Sequence, residues 1–382
     1  MKILLFGEFS GLFNCLQEGL RALGHEVTLV SDGNGFKNYP SDFRYDAHFL
    51  NKCGKFSTPL KYANLWLHKK KISGYDIVFF MDPSIVSRHV RWNAPLYRYM
   101  MTHNKKSFLC GAGDTAIMVK YWINSGEKYK NYVQGILNNS KAKGSVPYYP
   151  NKELVLWEKE LLDSIDGYIP IWYEYAQPFR SYKSFLRTIR IPVPLKNFEY
   201  KPNVVNGKIV FFHGVPSREE AKGTPYIREA FRLMAEKHGD EAEFICAGGL
   251  PFNEYMELIS RTNVILDDAN SYSIAMNGLF SLAKGKIVMG GAEPEGNLEL
   301  GIEGVNPVFN LKPDVSQICS QIEYIIENKL KNIKTTNINT LEERNTIIKQ
   351  IQALYPMLVE SRTVETRSVW YEPTERSTNN TK

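Results

Sequence analysis

Residues 1–33 read MKILLFGEFSGLFNCLQEGLRALGHEVTLVSDG. The run 2–7 is apolar and ends in Gly7, the pattern of a buried strand. Leu12, Cys15, Leu16, Leu20 and Leu23 then recur at helical spacing, and Gly24 stands where a helix C-terminus favours positive φ. A second apolar run occupies 26–33. Strand, helix and strand within about 30 residues imply parallel pairing through a right-handed crossover. The opening run is too short for a targeting segment, and Glu8 interrupts it.

The same pattern continues outward. Residues 75–80 and 106–110 read as strands, 152–162 as a helix and 167–171 as a strand. Residues 124–150, rich in Asn, Gly, Lys and Tyr, read as an irregular insertion with short helices. Residues 190–207 (RIPVPLKNFEYKPNVVNG) hold three prolines and a late glycine, the composition of a linker. A second α/β series follows, with strands at 208–213, 242–247, 263–267, 287–289 and 308–310. Its helices are expected at 224–237, 255–262, 277–283 and 314–329. Thr340 with Glu342 and Glu343 opens a further helix, and the polar end lacks periodicity.

A chain of 382 residues suits two domains. The expected fold is α/β, two Rossmann-like doubly wound domains facing a central cleft. The expected organisation is an acceptor-side domain at 1–190, a linker at 191–207 and a donor-side domain at 208–339. A helix at 340–360 packs back toward the first domain, and 361–382 form a mobile tail.

Composition narrows the function. The five cysteines, at 15, 53, 110, 246 and 319, stand singly with no metal-ligand spacing. That favours reduced thiols and the cytoplasm, and no metal site is expected. No run of 18 apolar residues occurs, so no membrane span is expected. Residues 1–190 carry 26 Lys and Arg against 16 Asp and Glu, a charge of +10, whereas the remainder carries −4. The basic half is either a solvated surface or attracts a phosphate-bearing acceptor or an anionic membrane, at its inner face. Basic residues are dispersed without a recognition motif, so nucleic acid is not an expected partner.

Three segments carry the candidate chemistry. The first is GEFSGL, from Gly7 to Leu12, between strand and helix. It is either a tight turn or an acceptor-side loop in which Glu8, Ser10 and Gly11 face a ligand and helix amides are open to it. Its spacing is not the dinucleotide fingerprint, which disfavours NAD. The second is HGVPSREEAKGT, from His213 to Thr224. Gly214 permits a sharp exit from the strand, and Arg218 and Lys222 can converge on a diphosphate. His213 is a donor contact or a core histidine. The third is 266–295, LDDANSYSIAMNGLFSLAKGKIVMGGAEPE. A strand ends in carboxylates including Asp268. A small-residue loop with Ser273 leads into a helix opened by Met276 and Asn277, whose amides suit phosphate. Glu293 and Glu295 are placed to bind sugar hydroxyls or ribose, or are turn residues. In the first domain, Asp114 of GAGDT is the best-placed carboxylate for orienting an acceptor or acting as a base.

The order of these segments resembles the donor half of GT-B glycosyltransferases: a Gly loop with Arg and Lys-Gly, a strand ending in AGG, then Asp, loop, helix and Ala-x-Gly-Lys-x-Val. It is most similar to the retaining group that builds bacterial capsule, exopolysaccharide and lipopolysaccharide. The opening 33 residues resemble that group's acceptor half. The resemblance spans roughly 1–360. It implies that Arg218 and Lys222 bind the diphosphate, at a spacing one residue shorter than usual, and that Gly248 and Gly249 lie in the loop approaching the nucleotide. The group's two glutamates, eight positions apart, fall on Tyr272 and Phe280 here. Ribose and donor sugar would then be met otherwise, by Asp268, Asn277 or Glu295.

The resemblance implies a nucleoside diphosphate sugar as co-substrate, no bound cofactor and a glycan or lipid-linked acceptor. It also implies retention, in which the leaving phosphate helps deprotonate the acceptor. Two other readings stand beside it. One is a sugar-nucleotide epimerase of the same shape, needing acid/base groups on both walls of the cleft. The other is a non-catalytic scaffold subunit, motivated by the missing glutamates.

Overall fold

The computed structural model describes residues 1–46, 56–87, 89–125, 133, 151–194, 197–216, 219–302 and 306–328. The helix expected at 340–360, the tail, most of the 124–150 insertion and Arg218 lie outside these residues.

The first sheet is built from β1 (Lys2–Phe6), β2 (Glu26–Ser31), β3 (Phe43–Arg44), β4 (Ile77–Phe80), β5 (Lys106–Gly111) and β6 (Gly167–Pro170). Its order is β3-β2-β1-β4-β5-β6, with every neighbour parallel. Helices α1 (Leu12–Ala22), α2 (Ser57–Leu67), α3 (Val90–His103), α4 (Ala116–Asn124), α5 (Lys152–Ser164) and the short α6 (Tyr173–Ala176) connect and cover it. Parallel strands covered on both faces need near-continuous apolar sequence. In β1, Ile3, Leu4, Leu5 and Phe6 are accordingly all buried. Leu4 and Phe6 face one apolar cluster, Ile3 and Leu5 another.

The second sheet contains β7 (Ile209–Val215), β8 (Ala242–Gly248), β9 (Val264–Leu266), β10 (Ile287–Gly290) and β11 (Phe309–Asn310). Its order is β11-β10-β9-β7-β8, again all parallel. Around it lie α7 (Thr224–His238), α8 (Phe252–Arg261), α9 (Met276–Ala283), α10 (Pro294–Glu299) and α11 (Val315–Glu327). The Asp314 carboxylate accepts from Gln317 N at 3.0 Å and caps α11. Ile318, Ile322, Ile325 and Ile326 of that helix enter the third apolar cluster, against α7 and β7.

The order reverses direction beside β1 in one sheet and beside β7 in the other. In open α/β sheets ligands collect outside the strand C-termini at such switch points. Both Gly-containing segments picked from sequence leave at these points.

Candidate functional site

The N-terminal wall begins with Gly7, at φ 100°. A Cβ there would lie 2.7 Å from Met81 Cβ, so only glycine fits. Glu8 follows and is completely buried. Its oxygens accept from Gly11 N at 2.8 Å, Asn14 N at 2.9 Å and Asn14 Nδ2 at 2.7 Å. The α1 amides expected to be open to a ligand are therefore filled from within, by an anion where a helix N-terminus favours one. Burial raises the Glu8 pKa, and the Asn14, Gly11 and Phe13 hydrogen bonds oppose the rise. Ser10 is left-handed, at φ 55°, and its hydroxyl accepts from Lys37 Nζ at 2.8 Å.

Beyond β4 and β5 lies a group of carboxylates. Asp82 is buried beneath Gly113 and Phe9 and accepts from Ser84 N at 2.7 Å. Burial pushes its pKa up to about 8, with Glu158 and Asp114 adding to the rise against the Ser84 bond. Glu158 accepts from Ala116 N at 2.7 Å and Ile117 N at 2.8 Å, capping α4. Burial carries its pKa to about 7 against these bonds. Asp114 is partly exposed on the loop between β5 and α4.

On the C-terminal wall, Gly214 remains within β7, which runs to Val215 rather than turning at Gly214. His213 is wholly buried. Nδ1 lies 2.8 Å from Leu266 O and Nε2 lies 2.8 Å from Thr224 Oγ1. A carbonyl only accepts, so Nδ1 carries the proton and Nε2 accepts from the threonine hydroxyl. Burial lowers its pKa to about 4. The neutral ring braces β7, β9 and the start of α7.

Lys222 is the cation of this wall. Its Nζ lies 2.7 Å from Asp267 Oδ1, and its side chain keeps 18% exposure while Asp267 has none. The other Asp267 oxygen accepts from Ala275 N at 2.7 Å. One carboxylate thus holds the lysine and closes the backbone at the start of α9. Burial alone would lower the Lys222 pKa, but Asp267 and Asp268 outweigh it and the net shift is upward. Asp268, partly buried, accepts from Asn270 N at 2.8 Å. Burial raises its pKa to about 7, opposed by Lys222 and reinforced by Asp267.

The remaining candidates separate. Gly248, the last residue of β8, and Gly249 beyond it are exposed, the latter at φ 71°. Asn277 is half-buried on α9 and Glu295 is exposed on α10. Glu293 is buried and accepts from Asn310 Nδ2 at 2.7 Å, tying its turn to β11. Met276 is buried within an apolar cluster that also holds Ile3, Leu5 and Phe13 of the first domain. Ser273 is buried and lines a mostly apolar cavity of about 90 Å³ with Ile171, Trp172, Ile191 and Leu279.

Tyr272 and Phe280 are aromatics that join the halves. Phe280 stacks on Phe198 with centroids 4.7 Å apart. Tyr272 packs on Tyr173 at 4.8 Å and Trp122 at 6.2 Å. Beside it, Glu174 accepts from the Ser271 hydroxyl and Tyr272 N. Two residues of this neighbourhood, Lys37 and Asp82, escaped sequence reasoning. Among the described residues no group of His, Cys, Asp and Glu could hold a metal ion, and no helix is long and apolar enough to cross a membrane.

No protein-family model and no curated protein matches the chain. Solved structures do. HepE of Anabaena in complex with UDP and glucose matches with a TM-score of 0.59 at 12% identity, over 94% of this chain and 99% of that one. Sucrose-phosphate synthase from Thermosynechococcus elongatus matches at 0.54 and 14% identity, over 94% and 100%. UDP-GlcNAc 2-epimerase from Neisseria meningitidis bound to UDP-GlcNAc matches at 0.51 and 12% identity, over 94% and 100%. At such identities the shared property is the fold. The chain has the two-domain α/β architecture called GT-B.

Proposed function

We propose that the chain is a glycosyltransferase that moves a hexose-type unit from a nucleoside diphosphate sugar to a glycan or lipid-linked acceptor. The observation that carries this is the Lys222–Asp267 pair at the switch point of the second sheet. An ammonium has three donors, and Asp267 engages one. Among the described residues no partner takes the others, which can meet phosphate oxygens without breaking the pair. Negative charge builds on the leaving diphosphate as the glycosidic bond breaks, and a fixed cation there lowers the barrier. That HepE and the epimerase were each solved with UDP or a UDP-sugar supports a nucleotide ligand for this fold.

In this proposal residues 1–190 bind the acceptor, 208–339 bind the donor and 191–207 link them. Arg218 joins Lys222 on the diphosphate, with Gly248, Gly249 and Asp268 beside the nucleotide. Asn277 and Glu295 contact ribose or sugar. His213, Ser273, Met276 and Glu293 act by shaping the wall, as their burial and bonding suit them to do. Asp114 orients the acceptor hydroxyl. Configuration is retained, the leaving phosphate taking the acceptor proton, and the product belongs to a surface polysaccharide built at the inner membrane face.

Calorimetric titration with UDP-, GDP- and dTDP-sugars tests the reading. Binding of at least one, lost in Lys222→Ala with the fold intact, is expected. Absence of heat with all of them would leave a scaffold. The carboxylates Asp82, Asp114 and Glu158 favour a second reading, an epimerase, because they supply acid and base candidates on one of the two walls such a reaction needs. Proton NMR of a bound sugar nucleotide separates the two. Conversion of the sugar without any acceptor identifies the epimerase.

A further inference from the structure

We propose that Lys37 of the first domain and Lys222 of the second hold a single phosphate group between them, across the cleft. The inference deepens the diphosphate reading above and rests on it for the identity of the ligand, the leaving diphosphate of the donor.

Lys37 is aimed by costly geometry. It ends the turn Gly35–Lys37, flanked by Asn34 at φ 59° and Asn38 at φ 50°. Its ammonium donates to Ser10, itself at φ 55°. Left-handed backbone at non-glycine residues is uncommon and clusters where function requires it. The turn is also braced. Tyr39 N donates to Gly33 O at 2.9 Å. Arg44 donates to Asn38 Oδ1 at 2.7 Å and Asp32 O at 2.6 Å, and pairs with Asp46 at 2.9 Å.

The charge of Lys37 is unbalanced by contact. Among the described residues its hydrogen bond goes to a neutral hydroxyl. Glu8 is the nearby acid, but its oxygens are committed to Gly11 and Asn14. Across from it, Met276, which follows the Ala275 amide held by Asp267, lies in one apolar cluster with Leu12 and Phe13, just beyond Ser10, so the segments that carry the two lysines come from walls in contact. Burial first, and Lys222 second, pull the Lys37 pKa down, with Glu8 opposing. Two lysines from opposite walls, one paired and one held only by a hydroxyl, make a cradle for an anion with several acceptor oxygens. Bound there, such an anion ties the domains together.

The test is calorimetry on the full chain with UDP and with inorganic pyrophosphate. Lys37→Ala and Lys222→Ala should each weaken both ligands, on the order of tenfold or more. The double variant should lose less than the product of the single losses, because both lysines hold one group. Lys37→Arg should recover much of the affinity, which a merely structural loss would not. Unchanged affinity in Lys37→Ala, or strictly multiplicative losses, would overturn the proposal. So would orthophosphate binding that needs Lys37 alone while UDP fills the other wall, since the group held would then be an acceptor's phosphate. If pyrophosphate depends on both lysines and no nucleotide sugar binds, the cradle stands and the transferase reading fails. If nucleotide sugars bind without regard to Lys37, the reverse holds.

Discussion

Asp267 shows how much one buried carboxylate organises. It neutralises Lys222 and closes the start of α9. Asp267→Ala leaves an ammonium buried without its partner, which typically costs about 3–5 kcal/mol. Urea unfolding should show that loss, with the slope of the transition unchanged. Asp82 makes the opposite electrostatic statement. Its pKa rises from 3.8 unfolded to about 8 folded. Between those values the folded protein keeps a proton the unfolded chain has released, so stability falls as pH rises through that window. Asp82→Asn should flatten the fall, read as a smaller drop in urea midpoint between pH 4 and 8. Glu158 and Asp268 act in the same sense over a narrower range. Lys222 was legible because it stands with Gly223 in a loop directly after an apolar strand. Lys37 and Asp82 were not. A lysine in a polar turn and an Asp-Pro-Ser step look alike whether they face water or a cleft, and only packing distinguishes them.

Among the elements, α1 best separates what spacing reveals from what it hides. Its apolar stripe and the Gly24 stop were readable, and β1–α1–β2 formed as the spacing required. The state of its N-terminus was not, because GEFSGL is compatible with open amides or with amides filled by its own glutamate. The structure fills them. Glu8→Ala should therefore destabilise the protein by about 1–3 kcal/mol, as loss of a buried acceptor leaves amides unsatisfied. Glu8→Gln, which can still accept, should cost less in the same denaturation assay. Strand β3 is too short to signal itself, and Gly214 was read as an exit although β7 continues through it to Val215. The three-element pattern survives such errors because each strand is specified by several apolar residues, whereas a loop's direction turns on single torsions.

At the scale of the molecule, the cleft is bounded by contacts as well as by strand ends. Arg180 and Thr188 bind Glu299, and Arg190 donates to Leu300 O and Gly301 O. Tyr272 and Phe280 add an aromatic seam. Phe280→Glu would place a charge in an apolar cluster. It should destabilise by more than about 3 kcal/mol near neutral pH, with partial recovery in acid, in thermal unfolding followed by circular dichroism. The seam was foreseeable only as an absence of glutamate. That these residues join the halves depends on contacts between segments about 80 residues or more apart in sequence, which local pattern does not encode.

That seam also makes the molecule a thermometer. Any parting of the halves that wets Phe198, Phe280, Met276 and Tyr272 exposes oily surface, and exposure of that kind carries a positive heat-capacity change. The attraction between the halves therefore weakens on cooling. For the transferase proposed above, release of a trapped product should slow less steeply in the cold than the bond-making step does, and an Arrhenius plot of turnover should bend where one overtakes the other.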